Sequence, residues 1–429
     1  MLSKKILSIV TLENSIYLLI SLVTMIVVIN KGAICFPDSE GYSQMALFRS
    51  CGYPLFIAFH QYLFGENFIS ILIFTQFLAT LFASLFLLDT IRESVNLNKW
   101  LAYILFVALL LPLISGIKSA NSILSEAIAY PLYLYIIGNI LLGMINKQNK
   151  NFYYSFILTF ILILVRGQFL FIVPVLLIAV FLTYGNFIFN KKHLFLIVSI
   201  LAIPFLAIST DVIYHKLRHN QAVTTPWTGI QVVTIPFFVS DKDDYLLFDN
   251  KVQQEYFKYI YTKLEQKKLL LNQIPQSIDK IDFFHKNYCN ICNFTINDDG
   301  VKFFNEKLSD EEKIILNDKM TSSITFTLIN NNFVKWITIY KSNVIEGFGQ
   351  LKDLFLILIL LFLSFFMFFK KKQYISKLII LLGFLTIGNI ALVAIAESLI
   401  ERYTFYNHWI VIAIFLILFQ NLLQNKTNE

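Results

Sequence analysis

Long apolar runs recur from end to end of this chain, and no other feature restricts its folding more. A bilayer core takes about 20 apolar residues per helix, and inside lipid a helix satisfies its own backbone polar groups. Such runs lie near Ser15–Ile29, Phe68–Asp89, Trp100–Ser115, Ile123–Ile145, Phe152–Val165, Phe169–Tyr184, Leu194–Ser209, Leu351–Phe369, Leu378–Ala396 and Trp409–Leu423. The third, fifth and seventh are short. Charged residues make up 15% of the 429 positions, against roughly 25% in soluble domains. The fold class is therefore an all-α polytopic membrane protein with about ten or more transmembrane helices. The net charge of +7 is no nucleic-acid signal, because Lys and Arg sit in short clusters between the runs, where they orient helices. No internal repeat stands out, which disfavours an inverted-repeat transporter. A cleavable signal peptide is not expected: the first run lacks a small-residue cleavage site and is followed by Asn30-Lys31.

Charge asymmetry orients the layout. With a cytoplasmic N-terminus, the inner segments collect Lys4, Lys5, Arg92, Lys99, Lys147, Lys150, Lys191, Lys192, Lys370, Lys371, Lys372, Lys377 and Lys426. The short outer loops collect only Lys31, Arg49, Lys118, Arg166 and Arg402. Both termini are then cytoplasmic. The loop after the first run, the Lys118–Glu126 turn, Arg166 and the Glu397–His408 loop all face outward. A transporter more often buries ion-binding groups at the midplane on broken helices, whereas an enzyme for a lipid-borne substrate gathers them at one interface.

Three regions follow: an N-terminal transmembrane module, residues 1–210, with a first outer loop at 31–66; an extracytoplasmic domain, 211–348; and C-terminal transmembrane helices, 349–429. A structureless loop as long as the middle region is improbable, so a mixed, mostly helical domain is expected. Tyr256–Leu271 reads as an amphipathic helix and Phe333–Ile345, with Lys335, Trp336 and Lys341, as an interfacial one. His215-Lys-Leu-Arg218-His219 either anchors at the interface or meets a lipid phosphate.

The first outer loop, FPDSEGYSQMALFRSCGYPL from Phe36 to Leu55, holds an unusual concentration of charge next to a span, and such charge is expensive near lipid. Pro37 followed by Asp38 and Ser39 starts a helix with Asp38 or Ser39 as N-cap. Asp38 is then either a cap alone or a general base whose proton affinity the apolar surroundings raise. Glu40, two residues on, is expected to point elsewhere on a helix; an Asp-x-Glu pair is otherwise able to bind a divalent cation, which leaves metal dependence open. Arg49 either anchors to headgroups or acts in the site. Gly52-Tyr53-Pro54 marks a turn into a second interfacial segment, Leu55–Phe64.

The pattern Pro-Asp-Ser-x-Gly-Tyr, then Arg-x-x-Gly-Tyr-Pro-Leu, then a run bearing Gln76, resembles the GT-C superfamily of membrane glycosyltransferases. The nearest likeness is to bacterial relatives of protein O-mannosyltransferases and of the lipid A aminoarabinose transferase. Ser125-Glu126 at the fourth span, Arg166-Gly-Gln168 at the sixth and Glu401-Arg402-Tyr403 before the last fit in order. One departure is Cys51, where relatives often carry Pro. The resemblance covers roughly the first two hundred residues and the final loop, and implies a GT-C-like helix bundle.

The activity it implies is transfer of a sugar, usually with inversion, from a polyprenyl-phosphate donor to an acceptor hydroxyl at the outer face of a bacterial cytoplasmic membrane. Asp38 would be the base. Arg166 and Arg402, with Arg49 and Lys118 behind them, would hold the donor phosphate, since guanidinium groups meet phosphates bidentately. Glu40, Tyr42, Glu126, Gln168 and Tyr403 would contact substrate, although a carboxylate at Glu126 also suits a helix N-terminus. The acceptor is a glycan, lipid or protein. The other readings are a lipid-linked glycan flippase, or an O-antigen ligase or polymerase using a pyrophosphate donor. Cys35 and Cys51 bracket the loop and either join in a disulfide or stay as thiols. Cys289-x-x-Cys292 with His285 supplies at most three zinc ligands.

Overall fold

The computed structural model describes residues 12–185, 188, 190–371, 374–398 and 400–427. Lys4, Lys5 and Lys372, counted above toward the cytoplasmic charge, lie outside the described residues, as do the side chains of Lys371 and Lys426. The chain is 83% helical, and among the described residues the one extended pairing is an isolated parallel bridge between Ile34 and Ser122.

The helices in chain order are α1 Leu12–Lys31, α2 Pro37–Ser43, α3 Gly52–Phe64, α4 Phe68–Val95, α5 Lys99–Ile114, α6 Glu126–Asn146, α7 Asn149–Val165, α8 Ile172–Tyr184, α9 Lys191–His219, α10 Thr228–Val232, α11 Thr234–Val239, α12 Lys251–Gln266, α13 Lys280–Ile291, α14 Asp310–Asn331, α15 Phe333–Gly347, α16 Leu351–Lys371, α17 Tyr374–Ala396, α18 Glu401–Thr404 and α19 His408–Thr427. Most of each predicted apolar run falls in a helix, the fourth starting in the loop before α6 and the sixth in the 3₁₀ turn before α8. Eight helical stretches among the described residues are long and apolar enough to cross a membrane, while α5 and α7 are shorter apolar helices. The seventh run, expected to be short, is instead the 29-residue α9. At 1.5 Å per residue it measures roughly 43 Å, well beyond a ~30 Å core. Its polar last turns prolong the helix rather than ending it.

The chain divides into two compact units, one of Met1–Asp211, Ile357–Gly388 and Thr404–Glu429, the other of Val212–Leu356 and Asn389–Tyr403. In the first, α6 is the most enclosed helix, with Leu134, Ile136, Ile137, Ile140 and Leu141 fully buried. Two glycines permit this, as small residues do where helices approach closely: a Cβ at Gly138 would strike the Phe86 ring of α4, and one at Gly143 the Phe152 ring of α7. The turn just before α19 joins this unit through Tyr133, whose hydroxyl donates to Asn407 Oδ1 at 2.6 Å. By contrast α1 exposes Leu18, Leu19 and Ile26, an apolar surface suited to lipid.

The second unit is built of helices around a core that includes Phe237, Phe238, Phe257, Ile260, Phe284 and Leu328; among its described residues there is no strand. The expected amphipathic segment is α12, which buries Tyr256, Phe257, Ile260 and Leu264 on one face. Polar ties hold the rest: Gly229 N donates to Asp318 Oδ1 at 2.7 Å, and Tyr256 Oη to Asn317 Oδ1 at 2.7 Å. The basic run at the end of α9 is spent on protein contacts, with His215 Nε2 3.2 Å from Thr225 Oγ1 and His219 Nδ1 2.8 Å from Glu311.

Gly52 fixes one packing distance in the first unit. A Cβ there would lie 2.7 Å from Val165 N and 2.8 Å from Leu164 O, backbone atoms that cannot swing aside. Gly52→Ala is expected to destabilise the protein by about 1–3 kcal/mol, as overpacking does, measured by denaturant unfolding in detergent. Gly116→Ala, where a Cβ meets nothing within 4 Å, is the control. Equal stability of the two variants would contradict the close approach.

Candidate functional site

The polar side chains singled out in the first unit converge on residues 115–125, the loop from α5 to α6. Its sequence, SGIKSANSILS, is polar, yet Ser119, Asn121, Ser122 and Ser125 are all buried. Buried polar groups call for partners: Asn121 Nδ2 and Ser125 find theirs in distant segments, Ser122 Oγ bonds the loop's own Ile117 and Lys118 carbonyls, and Ser119 Oγ and Asn121 Oδ1 have none among the described residues. Asn121 Nδ2 donates to Val28 O at 2.8 Å and Gly32 O at 2.7 Å, satisfying carbonyls that a helix C-terminus leaves open. Gly32, at φ 66°, takes the left-handed conformation that lets the chain leave α1. Ile34 N then donates to Asn121 O at 2.8 Å, and Ile123 N to Ile34 O at 3.0 Å, forming the parallel bridge.

The same loop receives α3 and α4. Tyr53 Oη donates to Gln76 Oε1 at 2.9 Å, and Gln76 Nε2 donates to Ala120 O at 2.8 Å. Gln76 is fully buried in an apolar helix, so the amide and the phenol satisfy each other and the loop carbonyl in one chain of bonds.

At the C-terminal end of the loop stands a buried ion pair. Arg166, at the end of α7, places Nη1 2.8 Å from Glu126 Oε1, with the side chains 10% and 2% exposed. Arg166 Nη1 also donates to Ser125 Oγ at 3.1 Å, and its Nε donates to Gln168 Oε1. Ser125 gives its single proton to Glu126 Oε2 at 3.2 Å. Tyr42 Oη, 3.1 Å from Ser125 Oγ, is therefore the donor in that contact. Gly52, against the backbone of Leu164 and Val165, sets the first loop beside this arginine.

Asp38 occupies the first turn of α2. Phe36 is the N-cap and Pro37 the first helical residue, while Ser39 Oγ accepts the Phe36 N–H at 2.8 Å. The expectation that Asp38 caps this helix is thus corrected. Its Oδ1 instead accepts from Arg49 Nη2 at 2.7 Å, with the aspartate 33% and the arginine 18% exposed. The guanidinium lies 4.6 Å over the Tyr42 ring and 5.1 Å over Phe48, a cation–π arrangement. Gly41 makes room for it, since a Cβ there would come 3.0 Å from Arg49 Nε. A continuous path of contacts therefore runs from Asp38 through Arg49, Tyr42 and Ser125 to Glu126, Arg166 and Gln168.

Other expected residues fall elsewhere. Glu40 is exposed and accepts from Gln44 Nε2 at 2.8 Å, because residues two apart on a helix point in opposing directions. This separation removes the Asp38–Glu40 cation pair. Among the described residues no group of three or more His, Cys, Asp or Glu is placed to hold a metal ion. His285 bonds Asn343 at 2.8 Å and Glu346 at 2.9 Å, which takes it out of a zinc set with Cys289 and Cys292. No disulfide joins the described cysteines: Cys51 is buried at the start of α3 while Cys35 is exposed. Burial pushes the Cys292 thiol up to about 12, helped by the charge of Glu397. Arg402 and Tyr403 belong to the second unit, where the guanidinium lies 6.0 Å from the Tyr403 ring and Tyr403 O accepts from Asn389 Nδ2 at 3.0 Å.

Lys118 takes a left-handed backbone, φ 46°. The neighbouring Lys31 ammonium holds Lys118 below the usual lysine range. Sequence reasoning missed Lys31, Asn121 and the Tyr53 hydroxyl. The polar run from Ser119 to Ser125 was visible, but nothing local told which groups it would bind. Comparison with family models, with curated proteins and with solved structures finds no match for this chain.

Removing one member of a buried pair strands the other. Glu126→Ala is expected to lower the unfolding free energy by about 3–5 kcal/mol, and Gln76→Leu, which orphans Tyr53 and Ala120 O, by about 1–3 kcal/mol. Glu126→Ala combined with Arg166→Met should recover part of the loss. Denaturant unfolding in detergent measures all three, and a Glu126→Ala variant as stable as the native protein contradicts the pairing.

Proposed function

We propose that this protein is a membrane glycosyltransferase of GT-C type, which moves a sugar from a polyprenyl-phosphate donor to an acceptor hydroxyl at the outer face of a bacterial cytoplasmic membrane. One observation carries the reading. Asp38, Arg49, Tyr42, Glu126, Arg166 and Gln168, residues of the order-dependent motif pattern, come from four separate segments and form one contact path. In that path Asp38 is the most exposed member of the two ion pairs, which is where an acceptor hydroxyl can reach a base.

The chemistry follows from balance. The acceptor O–H gives its proton to the Asp38 carboxylate as its oxygen bonds to the anomeric carbon. The bond from that carbon to the phosphate oxygen breaks, and polyprenyl phosphate leaves with the electron pair. A phosphate is already a good leaving group, so no strong acid is needed. Attack opposite the leaving group inverts the centre. Arg49 holds the carboxylate in orientation, and the buried Glu126–Arg166 pair fixes Ser125 and Tyr42 beneath it. Because Arg166 and Arg49 are both matched by carboxylates, they serve this reading better as supports of the loop than as the main phosphate contacts.

Asp38→Asn keeps the size and removes the base. It is expected to lower sugar transfer by about 10²–10⁴-fold, the usual worth of general acid–base catalysis. The assay uses protein reconstituted in membranes containing polyprenyl-phosphate sugars, with insertion checked separately. Near-native transfer by a correctly inserted variant would remove Asp38 from the role. The lipid-linked sugar that accumulates when the protein is deleted identifies the donor.

A further inference from the structure

The corner between α14 and α15, inside the second unit, turns apolar side chains outward although the same unit holds a closed aromatic core. Val334 is 77% exposed, and Phe333 beside it and Phe326 on α14 are exposed as well. A 3₁₀ turn, Lys242–Leu247, adds Leu246, 66% exposed, and Leu247. Side chains hold that turn at the corner: Asn331 Nδ2 and Asn332 Nδ2 donate to Asp244 Oδ1 and Oδ2 at 3.0 and 2.7 Å, and Lys335 pairs with Asp241. Val334 and Lys335 also line an open groove of about 680 Å³, together with Leu271, Ile281 and the exposed Ile278. Single apolar residues on a surface need no explanation, but a cluster drawn from separate segments marks an interaction surface.

The rest of α15 faces the core or is polar. Ile339 and Asn343 are buried, the Trp336 and Tyr340 rings stack at 5.3 Å and pack inward, and the exposed Thr338 and Lys341 are polar. The interfacial helix expected over Phe333–Ile345 thus narrows to its first turn. What covers that turn follows from the chain. Residues 348–350 alone separate α15 from α16, a helix long and apolar enough to cross a membrane, and Gly349 at φ 88° ends α15 as glycine does. Four residue steps span at most ~14 Å. The first turns of α16 fall in this same unit and expose Leu351, Phe355 and Leu356, so the unit carries a lipid-directed surface of its own. Lysines beside exposed apolar groups, here Lys280 and Lys335, suit the headgroup level.

We infer that the α14–α15 corner dips into the bilayer, seating Phe326, Phe333, Val334, Leu246 and Ile278 at the boundary between headgroups and acyl chains. The partner is the lipid surface itself, and the inference is independent of glycosyl transfer. With its 15 residues α15 is about 22 Å long, and it is then tied to lipid at both ends, through α16 after Gly347 and through the corner at Phe333.

The test is a nitroxide depth measurement on full-length protein, one copy per nanodisc of phosphatidylcholine and phosphatidylglycerol. The exposed thiols are removed as Cys35→Ser and Cys289→Ser, and the buried Cys51 and Cys292 are kept. Val334→Cys carries the label at the corner. Leu363→Cys, exposed on α16, is the lipid reference. Asp310→Cys is the water reference, because it lies at the far end of the 22-residue α14, roughly 30 Å from the corner. The expected result is relaxation of the Val334 label by oxygen in preference to a water-soluble nickel chelate, at a depth of about 5–10 Å into the headgroup–acyl boundary. Nickel access equal to that at Asp310 overturns the inference. Low access to both reagents overturns it too, because it reads a cover of protein rather than lipid. Should Val334→Cys fail to fold, Leu246→Cys on the neighbouring turn carries the same reading.

Discussion

A polar loop buried among apolar helices is held by the partners its groups find, and the loop of residues 115–125 draws them from five other segments, leaving Ser119 Oγ and Asn121 Oδ1 unmatched among the described residues. Asn121 closes the end of α1, Ala120 O takes the amide of Gln76, and Ser125 lies between Tyr42 and Arg166. Each of these bonds is modest against water, but leaving its partner unmatched in an apolar interior is expensive. Through these bonds the loop ties α1, α2, α4 and the end of α7 together at the candidate site.

Two ion pairs divide the work at the site according to their exposure. Glu126–Arg166 is nearly sealed, a setting in which charge is retained for geometry more readily than for stability. Asp38–Arg49 is more open, so its carboxylate is the more accessible of the two. Tyr42 joins them by offering its ring face to Arg49 and its hydroxyl to Ser125.

Local sequence rules explain the supports of this arrangement. Pro37 at the first helical position and Ser39 accepting the Phe36 N–H start α2, as the Pro-Asp-Ser run foretold, although the cap fell to Phe36 rather than Asp38. Gly52 and Gly41 are needed where a backbone and a guanidinium pass too close for a Cβ. The Gly-Tyr-Pro run was legible as a turn into α3. Its tighter meaning, a contact with the backbone of Leu164 and Val165, involves residues more than a hundred positions away. No local pattern carries that distance.

The sequence by itself determined that the chain is helical and built for lipid, because apolar runs of that length have few other solutions. It also marked Asp38, Tyr42, Arg49, Glu126, Arg166 and Gln168 as residues to explain, since polar groups next to apolar runs are costly and few. Only the tertiary structure decided their pairing: Asp38 with Arg49, Glu126 with Arg166, Glu40 turned away to Gln44, and Arg402 with Tyr403 in the second unit. It also decided that α9 runs on to His219. The physical reason is range. Hydrophobic length and helix starts are written in consecutive residues, whereas the choice of partner for a charge or an amide depends on which segments the packing of the helices brings within 3 Å or so.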